Sequence, residues 1–254
     1  MSYPNLRLRR LRKTKKIREL LEEVRLSPKD LICPIFVQED LKSKIQGDSM
    51  PGFERLPLSE VVNEANSIAE LKIPAVMVFG IPSQKDEKGS SAFANNGIVQ
   101  KTISDIRKNL GNNIAIMSDV CLCQYTSAGH CGLVKGDKID NDSSLETLGK
   151  IAVSQAQAGA DVVSPSAMMD GQVRAIRHAL DDAGFTDVAI MSHSAKHRSS
   201  LYSPFKDMAH SAPTFGDRKT YQLPYTNPKE AMREVDRHFR RGGYCHDKTS
   251  IGVS

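Results

Sequence analysis

The run Ile114-Ala115-Ile116-Met117-Ser118-Asp119-Val120-Cys121-Leu122, continuing as Cys123-Gln124-Tyr125-Thr126-Ser127-Ala128-Gly129-His130-Cys131-Gly132, decides how this chain is read. Its first nine residues are mostly apolar and predict a buried strand. The strand ends on an acid, and three cysteines follow within eleven residues. Three thiolates supply three ligands to a tetrahedral zinc and leave its fourth position open, whereas a closed structural site takes four protein ligands. The spacing therefore predicts chemistry as well as stability at Cys121, Cys123 and Cys131. The bland alternative is three unrelated buried thiols. His130 reads either as a fourth ligand or as a neighbour of the site. Cys33 reads as a small core residue of an earlier strand.

The strand pattern recurs on both sides of this run. Leu31–Val37, Ala75–Pro82, Asp161–Ala167 and Val188–Ala195 are similar apolar stretches, as expected of parallel strands covered on both faces. Ser59–Leu71, Ile98–Leu110, Ser143–Ala158 and Gly171–Ala183 have helical spacing between them. Five β-α units in series imply a doubly wound sheet or a (β/α) barrel. The polar groups favour the barrel. Gly80-Ile81-Pro82, Asp119–Cys123, Ser164-Pro165-Ser166 and Ser192–Lys196 all fall at strand C-termini, which meet around one mouth in a (β/α)8 barrel. Segments 38–58, 83–97 and 124–142 are then loops at that mouth.

Composition narrows the function. The chain has 254 residues, 39% hydrophobic and 26% charged, which suits a soluble globular protein. No apolar run reaches the roughly 18 residues needed to cross a bilayer. The basic N-terminus lacks the apolar segment of a secretory signal. Five cysteines without an export signal indicate a reducing cytoplasm. Seven of the 35 basic residues lie within residues 1–16, so the remainder of the chain is slightly acidic against a net charge of +5. Such an arm suits an acidic surface, a nucleic acid or a neighbouring subunit. With few aromatics interleaved, base stacking has little to work with, which favours the subunit.

Lys196 is the second centre of chemistry. It follows the fifth strand directly, where an amine would enter the mouth. A lysine in an apolar, cationic pocket has a depressed pKa and forms a Schiff base with a ketone. Arg198, Lys206, Arg218 and Lys219 are the expected cationic neighbours. Residues 200–221 read as a long loop bearing cations and aromatics, suited to a lid that excludes water and clamps a carboxylate.

Together these strings resemble the porphobilinogen synthase (5-aminolevulinate dehydratase) family. The matching stretches include Arg-Leu-Arg-Arg-Leu-Arg (7–12), Leu-Ser-Pro-Lys-Asp-Leu-Ile (26–32), Ser-Met-Pro-Gly (49–52) and Phe-Gly-Ile-Pro (79–82). Others are Asp-Val-Cys-Leu-Cys-Gln-Tyr-Thr (119–126), Gly-His-Cys-Gly (129–132), Pro-Ser-Ala-Met-Met-Asp-Gly (165–171), Ser-Ala-Lys (194–196) and Phe-Gly-Asp-Arg-Lys-Thr-Tyr-Gln (215–222). The resemblance spans about Arg7 to Val235. It implies a zinc-using (β/α)8 TIM barrel, 26–235 here, with an arm, 1–25, that embraces a neighbour in a homo-octamer. The implied reaction is the condensation of two molecules of 5-aminolevulinate to porphobilinogen, with loss of water, in cytoplasmic tetrapyrrole (heme) synthesis. It assigns Cys121, Cys123 and Cys131 to zinc, Lys196 to a Schiff base, Arg218 and Lys206 to a substrate carboxylate, and Glu234 to a magnesium used by some members. It implies no nucleic-acid or membrane partner.

The departures are specific. Lys206 stands where the family has arginine, keeping the charge but losing the bidentate fork. His193 and His197 replace two tyrosines beside Lys196. After Val235 the family continues into a strand bearing a second Schiff-base lysine, then two more strands. Residues 236–254 show no such pattern, so only about five of eight strands are expected, with the remainder an aberrant tail. Codons can be chosen so that a one-base shift from residue 236 encodes a strand containing Met-Ile-Lys-Pro, so a frameshift is the expected origin. An unclosed barrel leaves strand edges open, from which poor solubility and low synthase activity are expected. The other readings are a Schiff-base aldolase-type barrel, which needs Lys196 but not the thiols, and a non-catalytic zinc module with a nucleic-acid-binding arm.

Overall fold

The computed structural model describes residues 3–47, 49–239 and 244–245. After the short helix α1 (Lys15–Leu20) come β1 (Ile32–Gln38), β2 (Ile45–Gln46), β3 (Glu54–Leu56), α2 (Val61–Glu70) and β4 (Ala75–Ile81). Then follow α3 (Ile98–Leu110), β5 (Ala115–Val120), the hairpin β6 (Leu133–Lys135) and β7 (Lys138–Asp140), and α4 (Asn141–Ala158). The remainder is β8 (Val162–Pro165), α5 (Gln172–Asp182), β9 (Ala189–Ser192), α6 (Ser203–Met208), α7 (Pro228–Phe239) and β10 (Tyr244–Cys245).

The sheet order is β10-β9-β8-β5-β4-β1-β3-β2. All five expected strands are present, adjacent in chain order and parallel, with helices as crossovers. This is the β/α barrel arrangement, here an open arc: among the described residues no pairing joins β2 to β10. Neither β1 nor β9 is a bare edge, contrary to expectation. β3 lies parallel along β1 at Phe36 and Val37, and β10 lies parallel along β9 at Met191 and Ser192. Two departures from the sequence reading bear on the tail. Helix α7 runs past Val235 to Phe239, and Tyr244–Cys245 adds a strand where none was expected. Residues 240–243 and 246–254 lie outside the described residues.

Alternation along the strands sorts the core into two sides. Ile35, Val37, Val76, Val78 and Ile116 pack with Ile68 of α2 and Ile103 and Ile106 of α3. Phe36, Met77 and Phe79 form a different cluster with Phe205 and Met208 of α6. There Phe36 stacks on Phe79 at 5.3 Å, and Phe205 meets both rings edge-on at 5.3 and 5.0 Å. The expected lid segment thus contains a helix. Pro204 near its N-terminus suits helix initiation, and burial of Phe205 and Met208 (8% and 2% exposed) holds it down.

Loop chemistry completes the mouth. Segment 124–142 holds the β6–β7 hairpin, whose two-residue turn places Gly136 at φ +65°, as a first turn position with positive φ requires. Asp140 caps α4 by accepting from the Ser143 amide at 3.2 Å. Asn227 and Glu230 cap α7 reciprocally. Ala231 of α7 then packs on Ala195 and Leu223, bracing the turn that carries Lys196. The arm differs from the body: no residue of the 3-10 turn Leu8–Arg12 or of α1 is buried.

Gly80 sits where β4 meets α3, and an added Cβ would run into Val99, Ile98 and the Tyr125 hydroxyl. Gly80→Ala is expected to destabilise the fold by about 1–3 kcal/mol through overpacking. A lowered urea midpoint at unchanged slope checks this; an unchanged midpoint would show that the neighbours give way.

Candidate metal and lysine site

Cys121 and Cys123 leave the C-terminal end of β5, and the loop from Gln124 to His130 returns Cys131 to them. All three are at least 96% buried, and their sulfurs lie within 4.8 Å of one another, with Cys121 and Cys123 at 3.4 Å. A tetrahedral ion bound at ~2.3 Å would hold sulfurs about 3.8 Å apart, so the donor set fits a metal of zinc's size and softness. Among the described residues this is the one group of three or more His, Cys, Asp or Glu donors close enough to share an ion. His130 is not part of it. Its Nδ1 pairs with the Tyr221 hydroxyl and its Nε2 with the Phe215 carbonyl, both at 3.0 Å. Cys33 stands apart on β1, half-buried, its thiol pushed up by burial and by Glu64.

The loop keeps its shape through internal bonds. Thr126 Oγ1 donates within hydrogen-bond range of the Leu122 and His130 carbonyls. Gly129, at φ +68°, passes so close to the backbone of Ala212 that a side chain would collide with it. The cysteine loop and the lid segment therefore touch backbone to backbone.

Lys196 enters from the end of β9 and is 2% exposed. Its Nζ donates to the Ser166 carbonyl at 2.7 Å, stands 4.0 Å from Cys131 Sγ, and lies 5.5 Å from the centre of the Tyr202 ring. The sequence argument expected a depressed lysine pKa; the structure gives the opposite direction. Burial does oppose the charge, but Cys131, Tyr202, Cys121 and Cys123 outweigh it and raise the pKa above the ordinary amine value. The same coupling appears at the sulfurs. Hydrogen bonds from Cys121 and Cys123, with help from Lys196 and Arg218, hold Cys131 well below the usual thiol range despite burial. Burial, then the hydrogen bonds to its two partners, pushes Cys121 up.

Of the four expected cationic neighbours, Arg218 is the buried one, at 5% exposure. Its Nη2 donates to the carbonyls of Gly129 (3.1 Å) and Ser211, while Nε and Nη1 have no partner. Lys206 is half-buried on α6, its pKa lowered by burial and then by Arg218. Lys219 turns away to Asp217 at 2.7 Å, and Arg198 contributes its amide to the Leu223 carbonyl. His193 is buried with its Nδ1 3.5 Å from Ser164 Oγ, and His197 Nδ1 folds back to the Ala195 carbonyl at 2.8 Å.

Asp119, read from the sequence together with the cysteines, gains its partners here, and Gln222 is the buried group that sequence reasoning misses. Asp119 is 6% exposed and fully engaged: Ser166 Oγ donates to Oδ1 at 2.6 Å and Gln124 Nε2 to Oδ2 at 3.1 Å. It thereby fixes the residue whose carbonyl holds Lys196. Gln222, four residues after Arg218, is 5% exposed with an unpartnered Nε2. Its place in the string 215–222 was the available signal. Glu234 lies elsewhere, on the wall of a cavity of about 750 Å³ shared with His130, Tyr221 and Glu230, with Arg237 Nη1 at 3.8 Å.

The lid is latched from the other side as well. Lys85 Nζ donates to the His210 carbonyl at 2.5 Å, and the His210 ring meets Arg55 Nη1, which also donates to Gln38 Oε1 at 3.1 Å. Burial, then Arg55 and Lys85, lowers the His210 pKa below the usual 6.5. The neutral ring accepts from Arg55, so this contact is complete above about pH 6.5 and lost as pH falls through the folded-state value. Protection against amide exchange across 203–217, taken relative to the intrinsic rate at each pH, is expected to fall between pH 7.5 and 5.5 in the parent chain but not in His210→Gln. An equal fall in both would remove His210 from the latch.

A family model described as Delta-aminolevulinic acid dehydratase matches residues 5–244. The chain is 52% identical over 235 residues to the Delta-aminolevulinic acid dehydratase of Methanothermus sociabilis, covering 92% of this chain and 73% of that one. It is 48% identical over 242 residues to the Bacillus subtilis protein of the same name, covering 95% and 74%. The structure superimposes with a TM-score of 0.92, at 35% identity, on the Toxoplasma gondii enzyme in complex with its product porphobilinogen, covering 97% of this chain and 71% of that one.

Proposed function

The chain belongs to the delta-aminolevulinic acid dehydratase family, hydro-lyases that make porphobilinogen, and on that footing we propose how its own residues serve the reaction. The observation that carries the proposal is a fully buried lysine amine 4.0 Å from a sulfur of a three-cysteine cluster. Lys196 Nζ adds to the ketone carbon of one 5-aminolevulinate. The carbonyl oxygen leaves as water after taking up two protons, and the resulting imine acidifies the adjacent carbon. Asp119 and Ser166 hold the amine in place for this attack. Arg218, through its unpartnered Nε and Nη1, binds the substrate carboxylate with Lys206 and Gln222. Lys206 contributes charge without the two-pronged geometry of arginine. Helix α6 and the segment up to Arg218 exclude water.

Cys121, Cys123 and Cys131 are proposed to hold zinc, which would supply a Lewis acid with an open fourth position for the second substrate's carbonyl or a water. By drawing on the thiolate charge, that ion would also lessen the pull that keeps Lys196 protonated. Glu234 is proposed as a single carboxylate ligand for magnesium, an ion that keeps several waters and needs only one or two carboxylates. Leu6, Leu8, Leu11, Leu20 and Leu21 of the arm are each at least 48% exposed, which supports packing against another copy of the chain over a nucleic-acid role. The free thiols support a reducing, cytoplasmic setting. No helix among the described residues is long and apolar enough to cross a membrane.

Borohydride reduction in the presence of 5-aminolevulinate is expected to leave one covalent adduct, mapped by mass spectrometry to Lys196 and absent in Lys196→Ala. Zinc analysis is expected to find one equivalent per chain, lost in Cys131→Ser and progressively on acidification, as protons compete for the sulfurs. An adduct that persists in Lys196→Ala, or zinc retained by Cys131→Ser, would sink the respective assignment.

A further inference from the structure

Ser211 sits between the two residues proposed to hold the substrate carboxylate. Its amide donates to the Lys206 carbonyl at 2.9 Å, and its own carbonyl accepts from Arg218 Nη2. The residue is 1% exposed, yet its hydroxyl has no hydrogen-bond partner. Arg218 Nε and Nη1 share that condition. A buried hydroxyl without a partner is costly, and buried polar groups are nearly always satisfied. Here the unmet hydroxyl belongs to a residue whose carbonyl is bonded to the equally unmet guanidinium. The two guanidinium groups can only donate and the hydroxyl is able to donate, so an acceptor carrying negative charge suits all three. The carbonyls of Gly129 and Ser211 accept from Nη2, and for the donors that remain an incoming anion is the stronger acceptor.

We propose that Ser211 Oγ donates a hydrogen bond to the substrate carboxylate bound by Arg218, making it a substrate-positioning residue of the lid. This rests on the reading of Lys196 and Arg218 given above. Because α6 is packed on Phe36 and Phe79, a carboxylate held by Ser211, Arg218 and Lys206 also ties the lid to the bound molecule. Recognition of the acid and closure over it are then one event.

The test is borohydride trapping on the full zinc-loaded chain, titrated with 5-aminolevulinate and, separately, with its methyl ester. In Ser211→Ala the half-saturating concentration of 5-aminolevulinate is expected to rise about tenfold, since a hydrogen bond to a charged group contributes at least ~1.4 kcal/mol. The maximal adduct is expected to be unchanged. The ester lacks the anion, so its titration is expected to match the parent chain. Ser211→Thr, which keeps the hydroxyl, restores the parent value. If Ser211→Ala does not fold, Ser211→Cys carries the comparison with a weak donor in nearly the same shape. Equal titrations for parent and variant with 5-aminolevulinate overturn the proposal alone, as does an equal loss for acid and ester. No adduct in the parent chain overturns the Lys196 reading and this proposal together.

Discussion

Opposite charges buried side by side hold this site together. Hydrogen bonds from two sulfurs and the charges of two cations, Lys196 and Arg218, hold Cys131 well below the usual thiol range although it is fully buried. Those cations are in turn tolerable at 2% and 5% exposure because the sulfurs face them. Removing one side leaves the other as an uncompensated buried charge, which costs several kcal/mol. That mutual dependence binds together three separate stretches: the end of β5, the turn after β9, and the segment closing at Arg218.

The scaffold serves this balance by bringing strand ends together while leaving their side chains different tasks. One face of each strand packs on α2 to α5 and supplies most of the apolar burial. The other faces an aromatic and methionine cluster on which α6 rests. The lid is therefore anchored by apolar contact at α6, by backbone contact at Gly129 and Ala212, and by polar contact at Lys85 and Arg55. These three anchors differ in their response to conditions. The first is insensitive to pH and salt, while the last depends on the His210 charge.

Much of the fold is legible in the sequence. The nearly continuous apolar runs Ala75–Pro82 and Ile114–Leu122 read as interior strands, and Gly159 and Gly184 mark where the preceding helices stop. The cysteine spacing likewise announced a cluster, because ligands two and eight residues apart at a strand end can be brought together by one loop. Less legible were β3 and β10, whose few residues carry no period of their own and pair only because β1 and β9 present open edges. The helix α6 reads as loop in the sequence because its six residues are too few for a periodic signal. The direction of the Lys196 pKa was misjudged for a related reason. Sequence places cations nearby in number, but Lys219 turns to Asp217, and the groups that act on Lys196 are the sulfurs and Tyr202.

The sequence by itself determined the order of the five central strands, the helical crossovers, the membership of the family and most of the residues able to do chemistry, since these follow from periodicity and from side-chain type. Only the tertiary structure decided which of those residues meet. It excluded His130 from the sulfur cluster by giving both ring nitrogens other partners. It also placed Ser211 between Lys206 and Arg218, and left Glu234 on a separate wall. The physical reason is that burial and hydrogen-bond pairing are relations between distant segments. A residue's type states what it can donate or accept, and only the packed fold determines which partners it has.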